Sequence, residues 1–363
     1  MASDEGLNGS TRGRRFQTAL RPSVAVVGLG YWGPNLLRVL AERTDVDVRW
    51  MCDTDPARLA RLARRYPGVS ATADLDDVLA DPQVDGVLLA TPVFTHYELA
   101  RRCLEADKHT LVEKPLAASG AEALALTRLA TERDLVLMCG HTFLYSPPVR
   151  AVRELIEAGE LGELYFVTSS RVNLGLHQRD VSVIWDLGPH DFSILLYWLG
   201  GPPSTIRATG RDSIVPGIAD VAFVTMEFAS GVIANVELSW LAPSKLRRTV
   251  LVGSKKMIVY EDGAAEAVRI FDRGVVYKDP ETFGEYHLSY RTGDILSPKL
   301  ASDEPLALQT AEFVRVLRTG GAPEHGIALA SDVVRLAEAA EASLEQGGAQ
   351  IEVGDSELSY VTS

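Results

Sequence analysis

The sequence predicts an α/β region with a parallel sheet, followed by an α+β region built on a mostly antiparallel sheet. Three observations carry this. Up to about residue 145, short apolar runs alternate with helical periods, the order that makes a parallel sheet covered on both faces. Beyond that point, strand-like segments follow one another through Gly- and Ser-bearing turns, including Ala229-Ser-Gly231 and Gly253-Ser-Lys255. The chain has 363 residues, 46% of them hydrophobic, enough for two domains with sizeable cores.

The elements follow in order. Val24–Val27 is a strand that stops at Gly28, and Pro34–Arg43 has helical spacing. Val46–Cys52 is a second strand, and Pro56–Tyr66 a helix opened by proline. Gly86–Ala90, His109–Val112 and Leu135–Cys139 are strands, separated by helices over Phe94–Ala106 and Ala118–Arg133. A helix over Val149–Ala158 leads into the second region. Its strands are Leu164–Asn173, Thr205–Gly210, Ala219–Phe228, Val232–Leu241, Thr249–Val252, Met257–Tyr260 and Val268–Phe271. One apolar helix, Val183–Leu199, interrupts them, and helices near Leu306–Thr319 and Ser331–Glu345 close the fold. The expected division is a disordered leader over residues 1–21, a first domain over 22–145 and a second over 146–363.

Composition excludes several classes. A net charge of -13 is wrong for a nucleic-acid binder, and the cluster Arg12, Arg14, Arg15 and Arg21 belongs to a polar leader without apolar periodicity. The leader lacks the apolar stretch of a signal peptide, and no run is long enough to span a bilayer. Cys52, Cys103 and Cys139 are odd in number and flanked by apolar residues, as in reduced cytoplasmic cores. No Cys or His spacing suggests a metal.

Three constellations carry chemistry. The first is Gly28-Leu29-Gly30-Tyr31-Trp32-Gly33, placed between a strand and a helix. In that context Gly28 permits the tight turn, Gly30 lets backbone approach a pyrophosphate, and Gly33 lets helix and sheet pack closely. The helix start adds free N–H groups for the anion. Asp53, twenty residues past Gly33, accepts from ribose hydroxyls and disfavours a 2′-phosphate, so NAD is expected over NADP, with Arg58 as the one nearby cation.

The second is Thr91-Pro92 with Glu113-Lys114-Pro115. Both pairs end parallel strands, where open α/β sheets bind ligands. Lys114 can hydrogen-bond a substrate hydroxyl and favour a developing alkoxide. His96 either caps a helix or lines the nicotinamide pocket. The third is Asp186 and His190, four residues apart at the head of the apolar helix, so their side chains can converge. Imidazole is the natural base for an alcohol proton, and a carboxylate beside it orients and tunes it. Asp191 adds negative charge to the helix start.

With these motifs in hand, the chain resembles the Gfo/Idh/MocA oxidoreductases from residue 22 onward. The resemblance implies an N-terminal Rossmann domain and an open-faced, mostly antiparallel C-terminal sheet. It also implies homodimers or homotetramers built on that sheet. It maps the family's catalytic lysine, aspartate and histidine onto Lys114, Asp186 and His190, and implies a Lys-Pro bond at Pro115 that is often cis. Gly30–Asn35, His141-Thr-Phe-Leu-Tyr145, Trp185–Asp191 and Tyr290-Arg-Thr-Gly-Asp294 are similar to its nucleotide-sugar and antibiotic-sugar dehydrogenases. Ser193 stands where many members carry a second aspartate.

That resemblance implies oxidation of a secondary hydroxyl, C3 above all, of a hexose or amino sugar in a biosynthetic route. His141, Tyr145, Asn173, His177, Trp185, Tyr290 and Arg291 are the expected substrate contacts. A cluster of Arg171, Arg179 and Arg291 ranks a nucleotide-linked sugar above an aminoglycoside. Free-sugar or inositol dehydrogenase, keto-sugar reductase, redox-assisted glycosidase and non-catalytic NAD-binding sensor are the alternatives.

Overall fold

The computed structural model describes residues 21–175, 177–178, 181–277 and 288–354. Except for Arg21, the leader lies outside them, as does Arg179. Arg21 itself donates to the Val46 carbonyl and faces Asp47.

The first part alternates strand and helix as the periodicity predicts. Its elements are β1 (Ser23–Val27), α1 (Gly33–Ala41), β2 (Asp47–Cys52), α2 (Pro56–Arg65), β3 (Ser70–Thr72), α3 (Leu75–Ala80), β4 (Gly86–Leu89), α4 (His96–Glu105), β5 (His109–Glu113), α5 (Gly120–Glu132) and β6 (Leu137–Gly140). Polar side chains cap α2 and α5. Asp55 accepts from Ala57 and Arg58 N–H at α2, and Ser119 accepts from Glu122 N–H at α5. The six strands are all parallel, in the order β3-β2-β1-β4-β5-β6. β4 and β5 are buried along almost their whole length, as strands covered on both faces must be.

The second part runs α6 (Pro147–Glu157), β7 (Leu164–Leu174), α7 (Val183–Leu199), β8 (Thr205–Arg211), β9 (Val221–Glu227), β10 (Ile233–Ser239), β11 (Leu241–Gly253), β12 (Met257–Glu261), β13 (Val268–Tyr277), β14 (Leu288–Leu296), α8 (Pro305–Thr319), α9 (Ile327–Glu345) and β15 (Ile351–Glu352). The nine strands lie in the order β14-β13-β12-β11-β7-β10-β9-β8-β15. Only the β7–β10 pair is parallel. One face of this sheet packs on α6, α7 and α9. The other, with Phe166 and Ile233 directly paired and Phe223 nearby, is uncovered within the chain.

Three departures from the sequence reading have physical reasons. β3, α3 and β15 are too short to show periodicity. β11 starts eight residues before the expected Thr249 because Leu241 and Leu246–Arg248 pair with β7, and a register shift between Leu241 and Leu246 hides its alternation. α8 and α9 also do more than close the second domain. Phe313 of α8 packs over Gly86 at the start of β4, and α9 packs on both α5 and α7. These helices therefore bring α7 and the ends of the parallel strands onto one scaffold.

Candidate active site

The cradle takes the conformation its glycines allow. Gly28 has φ +86°, and a Cβ there would sit 2.6 Å from the Ala90 carbonyl oxygen. A Cβ at Gly33 would lie 1.9 Å from the Gly28 carbonyl oxygen, so the start of α1 can approach the β1 turn only as glycine. Gly30 faces open space apart from the tip of Arg58. No side chain caps α1; Pro34 has no N–H and the Asn35 N–H goes to the Trp32 carbonyl at 2.9 Å, so an anion would be met by the glycine loop and Gly33 at the helix start. Tyr31 and Trp32 flank this loop, exposed and edge-to-face at 5.4 Å. These features fit a dinucleotide.

Asp53, at the end of β2, is buried. It accepts from the backbone N–H of Leu29 and, at 2.8 Å, of Asp55. It thus ties the glycine loop to the neighbouring strand. Arg58 lies between Asp53 (3.5 Å) and Asp55 (3.3 Å). Two carboxylates hold that cation, an environment unfavourable to a 2′-phosphate.

The ends of β4 and β5 meet over this cradle. Thr91 lies against Gly28, and its hydroxyl pairs with that of Thr95 at 2.8 Å. Pro92 starts the turn into α4. His96 is fully buried, with its ring nitrogens 2.8 Å from the Pro115 carbonyl and 2.9 Å from that of Thr91. Both nitrogens face backbone, so His96 ties the two strand-end loops together. The expectation that it contacts the cofactor is corrected accordingly. The Lys114–Pro115 bond is cis.

Lys114 reaches across to α7. Its Nζ donates to the Asp186 carbonyl at 2.8 Å and lies 3.7 Å from Asp186 Oδ1. Pro189 sits inside α7 and has no N–H for the helix ladder. The carbonyl this leaves without a helix donor is that of Trp185, and Lys114 bonds the next one, that of Asp186. Burial pulls the Lys114 ammonium below its ordinary range, while Asp186 and Glu113 favour the charged form. Glu113 is itself buried, with Oε1 lacking a protein partner, and burial pushes its carboxyl up to about 7.

α7 starts at Val183, so Asp186 and His190 share one helical face, but their side chains are not hydrogen-bonded to each other. Asp186 Oδ2 accepts from Trp240 Nε1 at 2.9 Å instead. His190 Nδ1 has no partner among the described residues, and its ring meets the edge of Phe143 at 5.1 Å. The expected carboxylate–imidazole pair is therefore replaced by an Asp186–Lys114 pair and a separately placed His190. Burial, then Lys114, Arg171, Arg247 and His141, hold the imidazole well below its usual value, so the resting ring is neutral.

Trp240 links these groups to the loop after β7. Its indole lies 5.3 Å from the ring of His177. A Cβ on Gly175 would touch Trp240 at 2.9 Å and Asn173 Oδ1 at 3.0 Å. Asn173 Oδ1, His177 Nε2 and both ring nitrogens of His141 are buried without protein partners. Such atoms are costly unless a ligand or water satisfies them. His141 follows β6 directly, and burial lowers its imidazole to about 3. Trp185, half-buried, packs against both hydrophobic cores where they meet.

Three further expectations are corrected. Tyr145 is 2% exposed and packs its ring on His325 and the guanidinium of Arg150, in the core between helices. Tyr290 is 75% exposed on β14, the edge strand. Arg291 pairs with Asp272 at 2.8 Å and donates to the Lys255 carbonyl. Lys255 follows Gly253, which pairs with Leu164 at the start of β7. Asn173 lies nine residues further along that strand, about 30 Å away at the usual rise. Arg171 does not join Arg291 either, because it is buried in an ion pair with Asp191. The expected arginine cluster is absent among the described residues. Asp191 is correspondingly a buried ion-pair partner and not a helix-start charge.

The sequence did not single out Trp240, Phe143 or Gln309, which accepts from Thr142 Oγ1 at 2.8 Å. Each belongs to an element distant in sequence from the residue it serves, and no local spacing marks it. The described residues hold no cluster of three or more His, Cys, Asp or Glu able to bind a metal, and no helix long and apolar enough to cross a membrane. The three cysteines are buried and unpaired with one another.

A glycine cradle on a parallel sheet, facing a lysine and a neutral histidine, defines a nicotinamide-dependent oxidoreductase. The chain belongs to the GFO/IDH/MocA family: residues 23–141 match its NAD-binding Rossmann-fold oxidoreductase domain and 149–259 its C-terminal domain. It is similar to GenD2 from gentamicin A biosynthesis, solved in complex with NAD, at 28% identity and a TM-score of 0.77, over 93% of this chain and 98% of that one. It is also similar to the UDP-N-acetylglucosamine 3-dehydrogenase GnnA of Acidithiobacillus ferrooxidans, at 25% identity and a TM-score of 0.75, over 91% and 99%. A 4-carboxy-2-hydroxymuconate-6-semialdehyde dehydrogenase of Sphingobium sp. (strain NBRC 103272 / SYK-6) is 27% identical over 90% of this chain and 99% of its own.

Proposed function

We propose that the protein is an NAD-dependent dehydrogenase that oxidises a secondary hydroxyl, most favourably at C3, of a hexose or amino sugar. The observation that carries this is Lys114 Nζ, at the end of β5, held by Asp186 at the start of α7 beside a partly buried, neutral His190. Relatives named for a sugar 3-dehydrogenation and for an antibiotic pathway support the substrate class.

NAD, when bound, supplies the hydride acceptor; the protein supplies placement and charge. Gly28, Gly30, Tyr31, Trp32, Gly33 and Asp53 would hold it, with Thr91, Pro92 and Glu113 on the nicotinamide side. His190 takes the hydroxyl proton. Lys114 donates to the same oxygen and stabilises its developing negative charge. Asp186 keeps Lys114 charged and in place. The unpartnered acceptors and donors on His141, Asn173 and His177 orient the ring hydroxyls or amines. The uncovered sheet face suits a homo-oligomer.

One specific observation favours an amino-sugar or aminoglycoside substrate over a nucleotide-linked one. Arg171 and Arg291 are both tied to carboxylates, and Arg291 is remote, so neither is free to meet a diphosphate. The test is NADH absorbance after mixing protein and NAD with UDP- and TDP-hexoses, free sugars, inositols and aminoglycosides. Signal with one class, lost in Lys114→Ala, supports the reading. Silence from NAD, and from NADH with keto-sugars, refutes it in favour of a non-catalytic sensor.

A further inference from the structure

His190 is the proposed base, yet the carboxylate expected to orient it is bound to Trp240 and Lys114. Something else must fix the imidazole. The next residue, Asp191, is buried and engaged on both oxygens. Its Oδ1 accepts from Ser169 Oγ at 2.7 Å, and its Oδ2 pairs with Arg171 Nε. The Arg171 guanidinium lies 4.7 Å from the centre of the Phe143 ring, and Phe143 meets the His190 ring edge-to-face at 5.1 Å and 74°. Arg247, the register partner of Arg171 on β11, stands 5.6 Å from the same ring and is anchored by Asp262 at 2.8 Å.

We propose that Arg171 is a positioning residue for His190, acting on its ring through Phe143 and on its backbone through Asp191, with Arg247 as a second cation against the same Phe143 ring. The inference rests on the reading of His190 as the base. Arginine suits the task because its guanidinium is planar, stacks on aromatic rings and cannot lose its charge.

The charged and titratable groups facing His190 come from every element around it. Lys114 is at the end of β5, His141 before the turn into Thr142–Tyr145, Arg171 on β7, and Arg247 on β11. Asp186 and Asp191 lie on α7 itself, the first turned to Lys114 and Trp240, the second to Arg171 and Ser169. Cations therefore dominate around the ring. The positive charges of Lys114, Arg171 and Arg247 oppose a proton on His190. The arrangement separates two tasks: Asp186 serves the lysine, and the Arg171–Phe143 stack serves the histidine.

The test is the pH profile of kcat/KM, whose acidic limb reports the base in the free enzyme. It is paired with an NMR titration of the His190 ring in the NAD-bound protein, which needs no substrate. In Arg247→Met and Arg171→Met the limb and the titration should both move up by about one pH unit. Arg171→Lys keeps a positive charge, so the limb should stay while kcat falls about tenfold through the lost stack. Phe143→Leu should lower kcat about tenfold or more with NAD affinity unchanged. Arg171→Met leaves Asp191 unpaired and can fail to fold; Arg247→Met and Phe143→Leu leave that pair intact and decide the matter. An unmoved titration in Arg247→Met together with unchanged kcat in Phe143→Leu overturns the proposal. His190→Ala separates the two readings. If it is active, the base assignment falls. If it is inactive while the other variants behave as wild type, only the positioning role falls.

Discussion

The two sides of the site are built on different principles. The cofactor side is mostly backbone, taken from one stretch of β1 and α1. Gly28 and Gly33 matter for the side chain they lack, and Asp53 reinforces the loop by accepting its N–H groups. The substrate side is almost wholly side chain. Lys114, His141, Asn173, His177, Asp186, His190 and Trp240 come from six separate segments, and several leave buried polar atoms without protein partners. A cradle of backbone recognises what every dinucleotide shares, whereas converging side chains discriminate among polyols. The same contrast holds for two histidines: buried His96 has both nitrogens against backbone, and half-buried His190 has its buried Nδ1 against none.

That contrast can be broken at several points. The largest effect is expected from His190→Ala or Lys114→Ala, which should lower kcat by about 10³-fold or more. NAD affinity, followed by fluorescence, should persist in both. Near-normal turnover in either would remove the catalytic assignment.

Next is Gly33→Ala. Its methyl group would collide with the Gly28 carbonyl, so the backbone must move, at a cost of about 1–3 kcal/mol. Calorimetry should show NAD affinity falling more than tenfold. An unchanged Kd would show that the loop is softer than its packing implies.

Trp240→Phe sharpens the substrate side. It removes one donor to a carboxylate, worth about 1.5–3 kcal/mol, while the ring remains. The expected result is a roughly tenfold drop in kcat with normal NAD binding, because Asp186 can then turn from Lys114.

A smaller effect concerns pH. His141 and His325 are buried neutral, with folded values of about 3 and about 4 against 6.5 in the open chain. A depressed folded value means that their contribution to stability is present above 6.5 and is lost as pH falls towards 4 and 3. Thermal melting of the protein without substrate should therefore drop across that window, and His141→Gln should flatten the upper part of the drop. A melting temperature constant from pH 7 to 4 would contradict the burial. Smallest of all, Arg291→Ala should leave kcat and KM within about twofold, since β14 is remote from Lys114 in the chain. A raised KM would instead place β14 at a partner subunit's site.

Much of this was legible in advance because it is local. Strand–glycine–helix order, Asp53 at the end of β2 and Lys114 at the end of β5 follow from periodicity along one stretch of chain. The start of α7 at Val183 followed from its apolar run, and only Pro189 left the position of His190 in that helix open. Tyr145 and Tyr290 were misjudged for the opposite reason. An aromatic residue in a motif looks the same whether it faces a ligand, a helix core or solvent.

The sequence by itself determined the class of fold and the strand–glycine–helix turn, and it marked Lys114, Asp186 and His190 by position in their elements. Those depend on backbone conformation and on short spacings, which neighbouring residues dictate. Only the tertiary structure decided which groups pair. It turned Asp186 to Trp240 and Lys114, buried Asp191 against Arg171, stacked Phe143 beside His190 and carried Arg291 to the far end of the sheet. Those choices depend on the register of β7 with β11 and on the packing of α7 between two layers, contacts between residues tens of positions apart that no local pattern encodes.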